Sequence, residues 1–283
     1  MPELPEVETV RRGLARHVVG RRIDRVEIGR ERTVRRTSPE AVVHGLTGTV
    51  IEAANRRGKY LLLPLDSGDE LMIHLRMSGQ VLVAAEGAAR PPHTHVVAHL
   101  SADGRGERHE LWFVDPRTFG EVVVFDPTRA ADQVPDVDRL GVDPLADDLS
   151  LPVLRRLLRS RSRLLKPLLL DQHVVAGIGN IYADEILHAA RLRPDRISDD
   201  LSSTSERRLH AAIHEVLRAA VDAGGSTLGD AQYVDLFGDG GTYQDEHRVY
   251  GRDGERCTTC GIGWIRRTVS AQRSTHYCPR CQR

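Results

Sequence analysis

The chain has 283 residues, enough to bury a sizeable core and to form about two domains with a small appendage. Its 40 Lys and Arg balance 40 Asp and Glu, so net charge alone selects no partner. No apolar run approaches the roughly eighteen residues a membrane helix requires, and the N-terminus is charged where a signal peptide needs an apolar stretch; a cytoplasmic protein is expected.

The distribution of charge is more telling than its sum. Arginine dominates the cations and gathers at residues 11–36, 155–166 and 248–283, while acids concentrate around 132–148. Local basic faces on a neutral protein suit a polyanion held in a groove. All four cysteines lie in the last 27 residues, which disfavours a disulfide framework spread over the fold.

Taken in order, the chain opens Met1-Pro2-Glu3. A small second residue favours removal of the initiator Met, which would make Pro2 the terminus. An α-amino group ionises near pH 8, against about 10.4 for lysine, so a useful fraction is neutral in the cell. As a secondary amine it would condense with an aldehyde-like carbon to give a cationic iminium, the electron-sink logic of a lysine Schiff base. Glu3 beside it is placed to move protons.

Residues 7–19 read as an amphipathic helix, with Val7, Val10, Leu14 and Val18 on one face. From residue 23 to about 125 the pattern changes to short segments rich in Val, Ile and Leu, at 25–29, 49–53, 60–64, 70–75, 80–83, 94–100, 110–114 and 121–125. Eight strands at this spacing predict an antiparallel sandwich. Residues 126–150 are rich in Pro, Asp and Gly and read as an interdomain linker.

Helical periodicity follows at 151–163 and 183–190, and again at 203–223. That last segment opens with a capping-box pattern, Ser203-x-x-Glu206, and stops at Gly224-Gly225. Residues 224–249 read as loop. The division expected is a catalytic domain over 1–130, a linker over 131–150, a helical domain with its loop over 151–248, and a terminal zinc finger over 249–283.

Cys257-x-x-Cys260 and Cys278-x-x-Cys281 have the spacing of two knuckles closing a tetrahedral zinc site. Four thiolates fill the shell and leave no place for a reacting water, so the metal is structural and supplies folding energy to a segment too short for its own core. Between the pairs Arg266, Arg267 and Arg273 would present cations to phosphate.

Val174-Val175-Ala176-Gly177-Ile178-Gly179-Asn180 enters a glycine turn and then a helix, a geometry that aims free amides at an anion. Asn180 as a plain helix cap fits the same residues. In Asp115-Pro116-Arg117-Thr118-Phe119-Gly120, Arg117 beside Phe119 suits a wedge that replaces an extruded base while the guanidinium reads its orphaned partner. Met77 would be a second wedge. Core packing of Phe119 and gap filling by Met77 are the alternatives, and Lys59 at a strand start is either functional or merely solvated.

These stretches together resemble the formamidopyrimidine-DNA glycosylase branch of bifunctional base-excision enzymes. The resemblance rests on Pro2-Glu3-Leu4-Pro5-Glu6-Val7-Glu8-Thr9, Arg56-Arg57-Gly58-Lys59-Tyr60, His74 to Gly79, Asp115 to Gly120, Gly177 to Glu185, Val249-Tyr250-Gly251-Arg252 and Gln272 to Cys278, in the family's order from end to end. It implies an α+β multidomain fold: an N-terminal helix with an antiparallel β-sandwich, a helix-two-turn-helix domain, and a zinc-finger hairpin.

By motif position it implies Pro2 as Schiff-base nucleophile, Glu3 as the acid that protonates the sugar, Lys59 as proton donor at the first elimination and Arg273 as phosphate grip at the second. Met77, Arg117 and Phe119 would fill the gap left by the flipped nucleotide, with His74, His93, Arg161 and Asn180 at DNA-contacting positions. The expected protein is a monomeric glycosylase and abasic-site lyase acting on oxidised purines in double-stranded DNA, with one structural zinc and no catalytic cofactor. Two alternatives stand: an oxidised-pyrimidine enzyme of the same family, and a damage-binding protein without turnover. One departure from the pattern is Gly229, where the family usually has a basic residue soon after Gly-Gly-Ser/Thr-Thr-Leu.

Overall fold

Helix α1 spans Leu4–His17 rather than 7–19. It starts early because Pro5 in the first turn has no N–H to satisfy and because the Glu6 carboxylate accepts the Glu3 N–H at 2.8 Å. The computed structural model describes residues 1–229 and 233–283. Contacts divide the chain into two units, Met1–Arg139 with Ala223–Thr242, and Leu140–Asp222 with Tyr243–Arg283.

The first unit carries two four-stranded antiparallel sheets. One runs in the order β1 (Ile23–Ile28), β6 (Thr94–Leu100), β7 (His109–Val114) and β5 (Gln80–Ala85); the other in the order β2 (Asn55–Arg57), β3 (Tyr60–Pro64), β4 (Glu70–His74) and β8 (Glu121–Phe125). Val81, Val83, Ala98 and Phe113 of the first sheet share a single buried cluster with Leu61, Leu63, Ile73 and Val122 of the second, and Val7, Val10 and Leu14 of α1 join it. The expected sandwich is therefore present.

Its membership differs from the sequence reading in two places. Residues 49–53 form no named strand; they contribute only isolated bridges, Arg22 to Val50 and Ile51 to Leu65. The eighth strand is instead β2, whose sequence Asn-Arg-Arg has no apolar signal. Helix α2 (Pro39–Leu46) precedes it, capped by Ser38, whose side chain accepts the Ala41 N–H at 3.2 Å. The expected linker also contains structure, the single turns α3 (Ala130–Gln133) and α4 (Pro135–Asp138).

Ala223–Thr242, expected with the helices, groups with the sandwich. Two bonds and one packing contact explain this, and a third bond closes the segment on itself. Glu6 Oε1 accepts the Ser226 N–H at 2.7 Å, the Tyr233 hydroxyl donates to the Gly224 carbonyl at 2.9 Å, and the Val83 N–H donates to the Leu236 carbonyl at 2.9 Å. Leu236 lies so close to Gly13 that a β-carbon there would sit 3.0 Å from its own.

The second unit holds α5 (Leu151–Arg159), α6 (Leu165–Leu170), α7 (Asn180–Ala189), α8 (Ser203–Asp222) and a hairpin of β9 (Arg266–Ser270) with β10 (Arg273–Tyr277). The cap of α8 is shifted from the expected box. Ser202 Oγ accepts the Ser205 N–H at 3.2 Å, which frees Glu206 to bind Arg155 and Arg159, each at 2.8 Å, and tie α8 to α5. Among the described residues no helix is long and apolar enough to cross a membrane.

A buried ion pair joins α6 and α7 to the hairpin. Lys166 Nζ lies 2.6 Å from Asp184 Oδ1, with neither side chain exposed, and donates to the Ser274 carbonyl and Thr275 Oγ1. The His276 N–H donates to Asp184 Oδ2 at 2.8 Å. Removing one partner of such a pair strands a buried charge, so Lys166→Met should destabilise this unit by roughly 3–5 kcal/mol. Urea titration followed by zinc release to a chromophoric chelator reads this out. Adding Asp184→Asn should recover part of the loss, and an effect below about 1 kcal/mol would contradict the pairing described.

Candidate functional site

The N-terminal residues are held before any ligand arrives. Pro2 and Glu3 are buried ahead of α1, while Met1 is exposed. Glu6 bonds the Glu3 N–H with one oxygen and the Ser226 N–H with the other, so a single carboxylate sets both the N-terminus and the Gly224-Gly225-Ser226 turn. Gly225 is required there: its φ is +82°, and a β-carbon would lie 2.8 Å from Glu6 Oε1. Burial raises the Tyr233 hydroxyl pKa, and the Glu6 charge adds to it, so the phenol remains a proton donor.

Lys59 is buried at the turn Gly58-Lys59 joining β2 to β3. Arg56 holds that turn, donating to the Gly58 carbonyl at 2.9 Å and to Glu8 of α1 at 3.1 Å. Burial would raise the Glu8 pKa, but Arg11 and Arg56 outweigh it and keep the carboxyl ionised. The nucleophile candidate and the lysine candidate thus stand on elements braced by one ion-pair network.

Three loops of the first unit converge on Asp115, which has no exposed surface. Its Oδ1 accepts the Ser78 hydroxyl at 2.6 Å and the Arg117 N–H at 3.1 Å, and its Oδ2 accepts the Gly120 N–H at 2.7 Å. Its N–H donates to the His93 carbonyl at 3.0 Å, and its carbonyl accepts from His95 Nε2 at 2.9 Å. A β-carbon at Gly120 would lie 2.4 Å from the Phe113 ring, so the chain can turn there only as glycine.

The side chains expected to touch DNA project from these loops. Arg117 is exposed with its guanidinium 5.0 Å from the centre of the Phe119 ring, and Phe119 is 40% exposed, which sets aside core packing. Met77 is half-buried and His93 exposed. Each loop carries a non-glycine residue in the left-handed region, Arg76, His93 and Thr118, at φ 52°, 67° and 56°.

His74 has an inward role. It is buried against Tyr60 with ring centres 4.3 Å apart, and its Nδ1 accepts the Arg76 N–H at 3.0 Å. Burial, then the charges of Arg76, Lys59 and Arg36, lower its pKa well below the ordinary value, so the ring stays neutral as acceptor.

In the second unit Asn180 is the first residue of α7, with Gly179 as cap. Its Nδ2 donates to Ser274 Oγ at 3.3 Å, and its buried Oδ1 has no hydrogen-bond partner among the described residues. One of the amides expected to face an anion is already used, since the Gly177 N–H donates to Gln172 Oε1 at 2.8 Å. Glu185 accepts the N–H groups of Arg248, Val249 and Tyr250 at 2.8–2.9 Å and so anchors the zinc finger to α7. Arg273 is exposed at the exit of the β9–β10 turn, whose Ala271 and Gln272 both have positive φ. Arg161 is exposed just beyond α5.

The four cysteine sulfurs lie within 4.8 Å of one another, with Cys257 to Cys281 at 3.6 Å and Cys260 to Cys278 at 3.8 Å. A Zn–S bond of about 2.3 Å in a tetrahedron gives sulfurs about 3.8 Å apart, so the donor set fits zinc. Cys260 and Cys281 are half-buried, and the Gly263 N–H donates to Cys260 at 3.3 Å.

Three family models match successive parts of the chain. They are the formamidopyrimidine-DNA glycosylase N-terminal domain over residues 1–122, the formamidopyrimidine-DNA glycosylase H2TH domain over 140–232, and the zinc finger found in FPG and IleRS over 254–283. The chain belongs to the formamidopyrimidine-DNA glycosylase family. It is a DNA glycosylase of base-excision repair with a structural zinc site.

The glycosylase is 45% identical to a formamidopyrimidine-DNA glycosylase of Nocardioides sp. over all of this chain and 94% of that one. A Roseiflexus sp. relative of the same name is also 45% identical, with both chains fully covered. Among solved structures it resembles a Lactococcus lactis Fpg in complex with DNA containing an abasic site, at 36% identity and a TM-score of 0.88 over 99% of each chain. It also resembles MutM in complex with carbocyclic 8-oxo-G containing DNA, at 36% identity and a TM-score of 0.87 with both chains fully covered.

Sequence reasoning missed the glycosylase's positioning carboxylates. Glu6 was detectable as an acid in the first helical turn three residues after the cap, and Asp115 as an Asp before a proline turn. Nothing local marks Gln172 or Glu185. Of the departing loop, Gly229 is exposed, whereas Asp230, Ala231 and Gln232 lie outside the described residues.

Replacing any one of Cys257, Cys260, Cys278 or Cys281 by Ser should remove zinc and weaken DNA binding while the sandwich stays folded. Metal analysis, circular dichroism and a duplex-binding titration check the three parts. Unchanged affinity in metal-free protein would contradict the assignment.

Proposed function

We propose that this glycosylase excises oxidised purines from duplex DNA and then cuts the strand, using the amine of Pro2. The observation that carries this reading is the pair Pro2-Glu3, buried and held in place by Glu6 at the head of a core helix. While Pro2 is joined to Met1 its nitrogen is an amide without an available lone pair, so removal of Met1 is part of the proposal.

The chemistry follows from the groups present. The target nucleotide leaves the stack, which costs least where the pair is damaged. The Pro2 nitrogen attacks C1′ and gives up its proton as the bond from C1′ to the base breaks with its electron pair leaving on the base; Glu3 protonates O4′, and cleavage of the C1′–O4′ bond opens the sugar to the iminium. The resulting iminium acidifies the C2′ proton; losing it expels the 3′ phosphate, with Lys59 supplying a proton. A second elimination expels the 5′ phosphate, assisted by Arg273.

Arg117, Phe119 and Met77 fill the vacated stack, and His93, Arg161 and Asn180 contact the backbone. His74 acts through the loop it braces. The likeness to MutM in complex with carbocyclic 8-oxo-G containing DNA supports oxidised purine as the substrate class.

Borohydride reduces an iminium but leaves a noncovalent complex untouched. Processed protein mixed with duplex containing oxidised guanine, then reduced, should become covalently joined to DNA through Pro2. Pro2→Gly should trap less well, because a primary amine forms an imine that can lose its charge. Glu3→Gln should slow base loss yet keep trapping at abasic DNA. A cross-link mapped to Lys59 would overturn the role of Pro2, and no cross-link on either substrate would overturn the covalent step, with base release then separating a glycosylase that uses water from a damage-binding protein.

Arg117→Ala and Phe119→Ala should impair excision from duplex far more than cleavage at a preformed abasic site, where much of the unstacking has already occurred. Single-turnover rates on the two substrates decide this. Equal losses would give the loop another task.

A further inference from the structure

Within the second unit a half-open cavity of about 460 Å³ lies beside the zinc site. Five arginines line it: Arg191, Arg196, Arg208, Arg280 and Arg283. They come from four separate stretches of chain, the end of α7 and the loop after it, the first turns of α8, the second zinc knuckle and the last residue. Arg273 and Asn180 are not among the lining residues, so this is not the phosphate grip proposed above.

The cavity has no side-chain carboxylate in its lining. Among the described residues none of the five arginines pairs with an acid side chain, whereas Arg193 close by does, with Asp195 at 2.7 Å. Their bonds go to neutral groups at long range: Arg196 reaches the Arg283 and Asp200 carbonyls at 3.4 Å, and Arg208 reaches Ser205 Oγ at 3.3 Å.

Cys260 and Cys281 bring the zinc tetrathiolate, formally doubly negative, to the same wall. Five guanidiniums against those two negative charges leave three positive charges unmatched. Cations gathered around a cavity repel one another until a counter-ion enters.

A backbone feature points the same way. Arg191 follows the α7 cap at φ +58°, the position at which a helix end normally takes glycine. Its N–H donates to the His188 carbonyl at 3.0 Å and the Leu192 N–H to the Leu187 carbonyl at 2.9 Å, which locks the left-handed turn beside the cavity.

The rest of the lining defines the ligand class. Leu192 is 1% exposed and no aromatic ring is present, so the cavity offers neither a stacking surface for a base nor an apolar seat for a peptide side chain. Ser205 and Thr259 add hydroxyl donors. Guanidinium forks match phosphate oxygens two at a time. We propose that this pocket binds a compact run of phosphate oxyanions, either a free polyphosphate or adjacent backbone phosphates of nucleic acid.

The test is calorimetric titration of the zinc-loaded full-length protein with tripolyphosphate. Saturable binding at one site is expected, weakened at least about tenfold by Arg208→Ala with Arg280→Ala, since both remove charged hydrogen bonds to the phosphate oxygens. Zinc content and the circular dichroism spectrum should be unchanged in that variant. Competition by an undamaged duplex that vanishes in the variant assigns the phosphates to nucleic acid; tripolyphosphate binding indifferent to duplex assigns a free anion. No saturable binding, binding unaffected by the double substitution, or equally tight binding of hexaglutamate would each overturn the proposal. None of these outcomes depends on the chemistry at Pro2.

Discussion

A carboxylate taken out of water must be given hydrogen bonds or it destabilises the fold by several kcal/mol. In this protein that demand is what gives the loops their shape. Asp115 is satisfied by Ser78, the Arg117 N–H and the Gly120 N–H, and none of these partners lies in regular secondary structure. The loops bearing Met77, Arg117 and Phe119 cannot drift independently without stranding the same buried charge. Glu6 does this for the N-terminus and the Gly224-Gly225-Ser226 turn, and Glu185 does it for the entry to the zinc finger. The irregular parts are thus ordered by local electrostatics more than by apolar burial.

Glu121 extends the principle through side-chain cations. Buried at the start of β8, it binds Arg35, Arg36 and Arg76, and Arg35 also donates to the Phe119 and Gly120 carbonyls at 3.2 Å. The main chain of the 115–120 loop is therefore gripped from both sides, by Asp115 accepting from its N–H groups and by Arg35 donating to its carbonyls. The Phe119 ring needs this support, because an exposed aromatic has no packing of its own to define its position.

Much of this was legible in the sequence wherever the signal is periodic or chemically narrow. Seven of the eight strands coincide with the segments read from apolar spacing, because both sheets bury one face in a shared core. The zinc site was legible from two cysteine pairs alone, since few other arrangements satisfy four thiolates in so short a segment. Short elements whose stability comes from elsewhere were not. β2 is three residues, two of them arginines, held by pairing with β3 and by Glu8. α6 contains Pro167 within six residues and is fixed by the Lys166–Asp184 pair. The grouping of Ala223–Thr242 with the sandwich depends on contacts with Glu6, Gly13 and Val83, all far away in sequence, so no window of sequence around the segment carries it. At the site, candidate residues could be named because their types are chemically restricted, whereas positioning residues such as Gln172 are ordinary until their partners are known.

The strained backbone gives these supports a purpose. Non-glycine residues in the left-handed region cost of order 1 kcal/mol or more each and persist only where surrounding contacts over-determine them. Five of the six in the described chain, Arg76, His93, Thr118, Ala271 and Gln272, lie in or immediately beside the segments carrying Met77, His93, Arg117, Phe119 and Arg273. Relaxing any of these turns would re-aim the following side chain, since a left-handed residue reverses the local path of the chain. A loop that relaxed in the free protein would have to be ordered again on binding DNA, and that entropy would be subtracted from the binding energy. Holding the turns strained in advance, through Asp115, His74 and the β9–β10 register, places the ordering cost in folding instead, where a well-filled sandwich and a metal-closed finger can offset it.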